Sequence, residues 1–115
     1  MTGVQTCALP IRRAVERARK AYPDLEIEVE ADRLEEVSEA AECGVEHIML
    51  DNMSNETMMK AVAINAGRAK LEASGGITLP RLKEIGRIGV DFVSAGALTH
   101  SVRSCDISLD IEVTK

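Results

Sequence analysis

The feature that most constrains the fold is a strand–helix unit that recurs along the chain. Short strands are predicted to end at Glu30, Asp51, Ser74 and Gly96, so that successive ends are 21, 23 and 22 residues apart. Parallel strands cannot be joined by a tight turn and need a crossover of a dozen or more residues, usually a helix. A strand–helix repeat of this period therefore predicts an α/β fold with parallel strands.

Local signals mark the ends of these elements. The four parallel strands are predicted at Leu25–Ala31, His47–Leu50, Lys70–Ala73 and Asp91–Ala95, the first from its strict alternation of apolar and charged residues. Polar residues predict the helix starts, with Asp32 and Glu35 in a capping-box spacing and with Ser54 and Thr78 as later N-caps. Glycines predict the helix ends, at Gly44, Gly67 and Gly89. A different, half-exposed strand is predicted at Ile107–Val113.

Residue parity distinguishes a barrel from an open sheet, because side chains two apart on a strand share a face. One face of the four strands is apolar, carrying Ile27, Val29, Ile48, Leu50, Leu71, Ala73, Val93 and Ala95. The other face ends in the polar or small residues that close the strands. An open doubly wound sheet would be apolar on both faces. We therefore expect a partial (β/α) barrel of about four strand–helix units plus a C-terminal strand, roughly half of the usual eight.

Composition excludes several classes of function. The 115 residues carry a net charge of −5 and no basic stripe, which argues against a nucleic-acid partner. No segment has the length of a membrane span or the pattern of a signal peptide, so no membrane partner is expected. The three cysteines lack the spacing of a zinc site or disulfide frame. These features predict a cytoplasmic protein with reduced thiols.

Two carboxylates are the strongest candidates for chemistry. Glu30 and Asp51 lie at carboxyl ends of predicted strands, where (β/α) barrels place their active sites. A carboxylate kept there normally meets a cation, a hydroxyl or a metal, and Mg²⁺ binds through one or two carboxylates together with substrate phosphates. The alternative is a structural ion pair with Lys70 or another basic residue. Glu28 and Glu72, one layer deeper on the same face, are interpreted as structural.

Two glycine loops follow neighbouring strands, Ser74-Gly75-Gly76 and Gly96-Ala97-Leu98. Glycine allows positive φ and a close approach to the backbone, and a loop that closes on a helix N-terminus offers free N–H donors to a phosphate. An ordinary flexible turn is the alternative for Ser74-Gly75-Gly76 alone. Phosphate sites of barrels often use two adjacent loops, which favours binding. His100 is assigned a supporting or surface role.

Five motifs now give a specific resemblance. They are Ile27-Glu28-Val29-Glu30, Met49-Leu50-Asp51-Asn52-Met53, Leu71-Glu72-Ala73-Ser74-Gly75-Gly76-Ile77, Gly89-Val90-Asp91-Phe92 and Gly96-Ala97-Leu98-Thr99-His100-Ser101. In this order and spacing they resemble the C-terminal part of the quinolinate phosphoribosyltransferases, the decarboxylating enzymes of NAD biosynthesis. Asp106-Ile107-Ser108-Leu109 also fits. The resemblance extends from about Ile11 to the C-terminus.

The resemblance implies an activity and roles for the candidates. The family joins quinolinate to phosphoribosyl pyrophosphate with Mg²⁺ and gives nicotinate mononucleotide, pyrophosphate and CO₂. It implies that Glu30 and Asp51 bind the ribose hydroxyls and the metal–pyrophosphate assembly. It implies that the substrate pocket is lined by Ser74, Gly75, Gly76, Gly96, Ala97 and Leu98.

The departures from the family matter equally. In the family, basic residues that recognise quinolinate precede the matching segment. An N-terminal domain, which caps the partner subunit's site in a dimer, also precedes it. Residues 1–10 do not resemble the family and are interpreted as a foreign or disordered leader outside the fold. We expect residues 11–115 to be the C-terminal part of the barrel domain, inactive alone. The alternatives are a non-catalytic half-barrel that binds phosphate or nucleotide, and another phosphate-handling barrel enzyme.

Overall fold

A computed structural model of the chain describes residues 2–4, 10–95 and 110–112. Strands and helices alternate through most of this length. In chain order they are β1 (Thr2–Val4), α1 (Ile11–Ala21), β2 (Ile27–Ala31), α2 (Leu34–Glu42), β3 (His47–Asp51), α3 (Asn55–Asn65), β4 (Lys70–Ser74), α4 (Leu79–Ile88), β5 (Phe92–Ser94) and β6 (Asp110–Glu112).

The strands form one sheet in sequence order from β1 to β6. Each neighbouring pair from β1 to β5 is parallel, and β6 runs antiparallel to β5. The predicted four parallel strands are confirmed as β2 to β5. Within the predicted C-terminal strand, Asp110–Glu112 pairs with β5, whereas the remainder of that segment lies outside the described residues.

Residues 1–10 were expected to lie outside the fold, and this is wrong for Thr2–Val4. These three residues pair in parallel with β2, with Val4 opposite Val29. Backbone pairing needs no particular side chains, so a composition unlike that of the later repeats does not prevent it. The sheet therefore contains a fifth parallel strand at its edge. That the leader is foreign sequence stays a prediction.

The hydrophobic core lies between one face of the sheet and the helices. All eight residues of the predicted apolar face are buried, and they share a cluster with helix residues such as Val37, Met58, Ala61 and Ile85. The polar residues of β2 to β4 lie on the opposite face. Helices on one face and polar residues on the other confirm the partial (β/α) barrel. Within the described residues, no helix is both long and apolar enough to span a membrane.

Most helix ends follow the predicted signals. Ser54 caps α3 by accepting a hydrogen bond from the backbone N–H of Thr57, and Gly89 ends α4 with a φ of 105°. The capping box at Asp32 is wrong, because the N-cap of α2 is Arg33. Glu36 instead accepts from the Asp32 N–H, so a similar arrangement is displaced by one residue.

Candidate active site

Asp51 and the glycine loop after β4 lie together at the carboxyl ends of adjacent strands. Asp51 pairs in register with Ser74, and the N–H of Asn52 donates to the Ser74 carbonyl at 2.8 Å. A Cβ built on Gly75 would lie 3.2 Å from Oδ1 of Asp51 and 3.0 Å from the backbone nitrogen of Asn52. The prediction that Asp51 and Ser74 close two parallel strands on one face of the sheet is therefore confirmed. Only glycine fits at position 75 without displacement of a neighbour.

The conformation of this loop also requires glycine. Gly75 and Gly76 both have positive φ, at 82° and 63°, which L side chains rarely adopt. Within the described part of the chain, no hydrogen bond uses the backbone N–H of either glycine. Helix α4 begins at Leu79, three residues after Gly76, with Thr78 as its N-cap. Free donors next to a helix N-terminus are the groups that hold a phosphate in many proteins.

Glu30 lies on the same face of the sheet, one strand away from Asp51. It pairs with Met49 in β3, two residues before Asp51, and its side chain is exposed. None of the ion pairs among the described residues involves Glu30 or Asp51, so the alternative of a structural pair with Lys70 has no support there. Both carboxylates are accessible to a ligand.

The polar face contains a second pair of carboxyl groups, Glu28 and Glu72. Burial and a hydrogen bond to Glu72 raise the pKa of Glu28 from its ordinary value of 4.5 to about 7, and the nearby His47 acts in the opposite direction. The hydroxyl of Ser94 donates to Glu72. The sequence placed Glu28 and Glu72 on one layer and interpreted them as structural. It contained no signal that the pKa of Glu28 is raised.

Arg81 is a residue of this site that the sequence did not indicate. Its side chain, half-buried in the third position of α4, donates to the Met53 carbonyl at 2.6 Å, to Oδ1 of Asn55 at 3.1 Å and to the Gly76 carbonyl at 3.3 Å. An open cavity of about 500 Å³ lies alongside. Its lining residues are Asn52, Met53, Ser54, Asn55, Glu56 and Arg81.

The carboxylates of this site suit Mg²⁺ only together with a phosphate-bearing substrate. No cluster of three or more His, Cys, Asp or Glu that could hold a metal occurs among the residues that the structure describes. Mg²⁺ is commonly held by one or two carboxylates and by substrate phosphates. Asp51 beside the phosphate-type loop suits that arrangement. The other predicted pocket residues, Gly96, Ala97 and Leu98, lie outside the described residues, as does His100.

Comparison with known proteins decides the family. The family described as "Quinolinate phosphoribosyl transferase, C-terminal domain" matches residues 3–110. The chain belongs to this family. The match begins before Ile11, where the resemblance was expected to start. The predicted membership of the quinolinate phosphoribosyltransferase family is thus confirmed.

Individual relatives agree with this assignment. A probable nicotinate-nucleotide pyrophosphorylase (carboxylating) of Bacillus subtilis is 40% identical over 105 residues, which are 90% of this chain and 36% of the relative. The crystal structure of nicotinate-nucleotide pyrophosphorylase from Ehrlichia chaffeensis superposes with a TM-score of 0.83 at 35% identity, over 96% of this chain and 42% of that one. The chain therefore spans about two-fifths of the length of these family members.

A more distant structure shares the fold alone. Thiamine phosphate pyrophosphorylase from Pyrococcus furiosus has a TM-score of 0.74 at 21% identity, over 88% of this chain and 51% of that chain. This likeness supports the partial barrel as the architecture of a chain in the quinolinate phosphoribosyltransferase family.

Proposed function

We propose that this chain forms the phosphoribosyl-binding part of an enzyme that transfers phosphoribose from phosphoribosyl pyrophosphate to quinolinate. The products are nicotinate mononucleotide, pyrophosphate and CO₂. The observation that carries this proposal is the position of the Asp51 carboxylate beside Gly75, in a loop with two uncommitted N–H donors. The Asp51 carboxylate suits the sugar, and the N–H donors of the loop suit the phosphate.

The proposed roles follow from the charges that the reaction develops. The C1–oxygen bond breaks with its electron pair going to pyrophosphate, and the quinolinate nitrogen forms the new bond to C1. The sugar gains positive charge on the way, which nearby carboxylates such as Glu30 and Asp51 stabilise. Loss of one carboxylate as CO₂ leaves an electron pair on the ring, which takes a proton. Glu30 and Asp51 would hold Mg²⁺ together with the pyrophosphate, and the ion would supply positive charge to offset the negative charge of the leaving group.

The substrate phosphate is assigned to Ser74, Gly75 and Gly76. The N–H groups of Gly75 and Gly76 and the Ser74 hydroxyl are donors, and glycine leaves the backbone open to a bulky anion. The pocket also includes Gly96, Ala97 and Leu98, on the resemblance alone. The residues that choose quinolinate belong to the upstream part of the complete enzyme.

The proposal extends to the setting of the complete enzyme. A homodimer or larger homo-oligomer is proposed, because the resemblance implies an N-terminal domain that caps the partner subunit's site. A cytoplasmic location is proposed from the cysteines, which lack disulfide spacing.

The test is a chimera in which this chain replaces the matching part of the Bacillus subtilis relative. We expect nicotinate mononucleotide to form from quinolinate and phosphoribosyl pyrophosphate. Asp51→Asn and Glu30→Gln should each lower kcat/KM at least tenfold, or about 1.4 kcal/mol. Glu35→Gln is the matched control, since Glu35 is an exposed carboxylate on α2. A folded chimera without product would overturn the proposal.

Calorimetry of the 115-residue chain with phosphoribosyl pyrophosphate and Mg²⁺ gives a second measurement if the chimera does not fold. Saturable binding that weakens in Asp51→Asn supports the site. Binding by the chain without turnover in a folded chimera would instead identify the non-catalytic half-barrel.

A further inference from the structure

We propose that Arg81 is the positioning residue of the phosphoribosyl site. In this proposal, which rests on the proposed function, its guanidinium holds the Asp51–Met53 segment against the Ser74–Gly76 loop. Arg81 itself does not touch the substrate. It sets the distance between the carboxylate that faces the sugar and the backbone donors that face the phosphate.

The contacts of Arg81 connect the two loops directly. Nη2 donates to the carbonyl of Met53, which follows β3, while Nη1 donates to the carbonyl of Gly76, which follows β4. Nε donates to Asn55, the first residue of α3. The Asn55 side chain in turn donates to Glu84 of α4 at 2.7 Å. One guanidinium thus joins both loops and the beginnings of both helices.

Met53 and Ile77 anchor the outer ends of the two loops in the core, so the restraint from Arg81 concerns the glycines between these anchors and the strand ends. The bond from the Asn52 N–H to the Ser74 carbonyl joins them at the strand ends. Beyond it, Gly75 and Gly76 have no side chains, and glycine loses more conformational entropy on ordering than any other residue. A Cβ on Gly76 would meet Oδ1 of Asn52 at 3.4 Å and Nη1 of Arg81 at 3.9 Å. Those two side chains therefore flank the glycine.

The chemistry of the three bonds requires arginine. A guanidinium presents donors from three nitrogens in a rigid planar fork, whereas the ammonium of lysine is one point on a flexible stem. The three acceptors of Arg81 belong to residues 53, 55 and 76, and each is met by a different nitrogen. Lysine would keep the positive charge and lose this geometry. The comparison of Arg81→Lys with wild type therefore separates positioning from charge.

The first readout needs no ligand. In the 115-residue chain, backbone N–H order parameters of Gly75 and Gly76 should fall in Arg81→Lys from about 0.85 to below about 0.6. Arg87→Lys is the matched control, since Arg87 is an exposed arginine in the last turn of the same helix. Far-ultraviolet circular dichroism verifies that the variants stay folded. Unchanged order parameters in a folded Arg81→Lys would overturn the proposal. If that variant unfolds, Arg81→Gln takes its place.

The second readout is steady-state kinetics of the chimera. Arg81→Lys should raise KM for phosphoribosyl pyrophosphate about tenfold and leave KM for quinolinate within about twofold. A residue that merely stabilises the fold would lower the active fraction and move neither KM. Equal changes in both KM values would overturn the proposal. A folded wild-type chimera without product would instead remove the proposed function, and the order parameters would still decide whether Arg81 holds the loops.

Discussion

The Asp51 carboxylate lies against Gly75, so that a Cβ on Gly75 would lie 3.2 Å from Oδ1 of Asp51 and 3.0 Å from the backbone nitrogen of Asn52. A carboxylate and a glycine from consecutive strand–helix units are thus in close contact. Because the contact includes backbone atoms, a larger residue at position 75 would have to move the β3–α3 loop. The stability of the loop pair and the site geometry are therefore coupled.

Gly75→Ala should destabilise the chain by about 2–3 kcal/mol, because the alanine meets both an unfavourable positive φ and the Asn52 backbone. Gly44→Ala is the matched control. Gly44 has a similar φ of 72° but nothing within 4 Å of its Cβ position, so its loss should be about 1 kcal/mol. Urea unfolding measures both. Equal losses would show that the close approach to Asn52 costs nothing.

Glu28→Gln should change the pH dependence of stability near neutral pH. Burial and Glu72 raise the pKa of Glu28 to about 7 in the folded chain, against 4.5 as its ordinary value. The folded state then binds more protons between these values, so the wild-type free energy of unfolding falls from pH 4.5 to 7. Glutamine cannot ionise and should remove that fall.

At pH 8 the free energy of unfolding of Glu28→Gln should exceed that of the wild type by about 1 kcal/mol, after allowance for solvent screening of a partly exposed group. Urea unfolding at several pH values measures it. Glu35→Gln on exposed α2 should keep the wild-type slope. If Glu28→Gln keeps that slope too, the two carboxyl groups do not share a proton.

Glu46→Gln should lower the free energy of unfolding at neutral pH. Its pH dependence should be opposite to that of Glu28, because the pKa of Glu46 is lowered in the folded chain. Burial opposes ionisation of Glu46, but bonds from the Ile27 N–H at 2.8 Å and from Arg19 at 3.1 Å outweigh it and lower the pKa. The stabilisation is present above the ordinary pKa of 4.5 and is lost as pH falls through the lowered folded value. The loss in the variant should be about 1 kcal/mol at pH 7 and should shrink toward pH 3.

Glu42→Gln is the control for this prediction. Glu42 forms a pair of 3.7 Å with Arg12, and both side chains are 56% exposed, so its loss should be under about 0.5 kcal/mol. Thermal or urea unfolding at pH 3, 5 and 7 provides the comparison. A pH-independent difference between Glu46→Gln and wild type would contradict the proposed origin in ionisation.

Asn65→Ala should destabilise the chain by about 2 kcal/mol. The Asn65 side chain, 3% exposed, donates to the Ala69 carbonyl at 2.8 Å and accepts from the Ala69 N–H at 3.0 Å. Alanine would leave both backbone groups buried without a partner. Lys60→Ala, on the exposed side of the same helix, should stay within about 0.5 kcal/mol of wild type. Similar values for the two variants in urea unfolding would contradict the role of Asn65.

Much of the fold could be predicted because its signals are local or periodic. The alternation of apolar and charged residues from Ile27 to Glu30 predicts a strand, and Gly89 predicts a helix end. Neither prediction needs knowledge of distant residues. The same is true of the apolar face, since parity alone assigns Val29 and Leu50 to one side. The edge strand β1 was missed because pairing of a three-residue strand depends on β2 rather than on its own sequence.

The candidate site was predictable in outline for a similar reason. Parallel strands bring their carboxyl ends to one edge, so Asp51 and Ser74 had to become neighbours once the strands were assigned. Arg81 could not be found this way. Arg81 reaches its three acceptors because α4 packs beside the β3–α3 loop. An arginine near the start of a helix does not by itself indicate such contacts.

The sequence by itself determined the strand–helix order, the two faces of the sheet and the family, because each is written in residue type and spacing along the chain. Only the tertiary structure decided that Glu28 shares a hydrogen bond with Glu72 and that Asp51 lies against Gly75. The physical reason is that hydrogen bonds and van der Waals contacts act over a few ångströms. Residues more than 20 positions apart reach that range only after the sheet has formed.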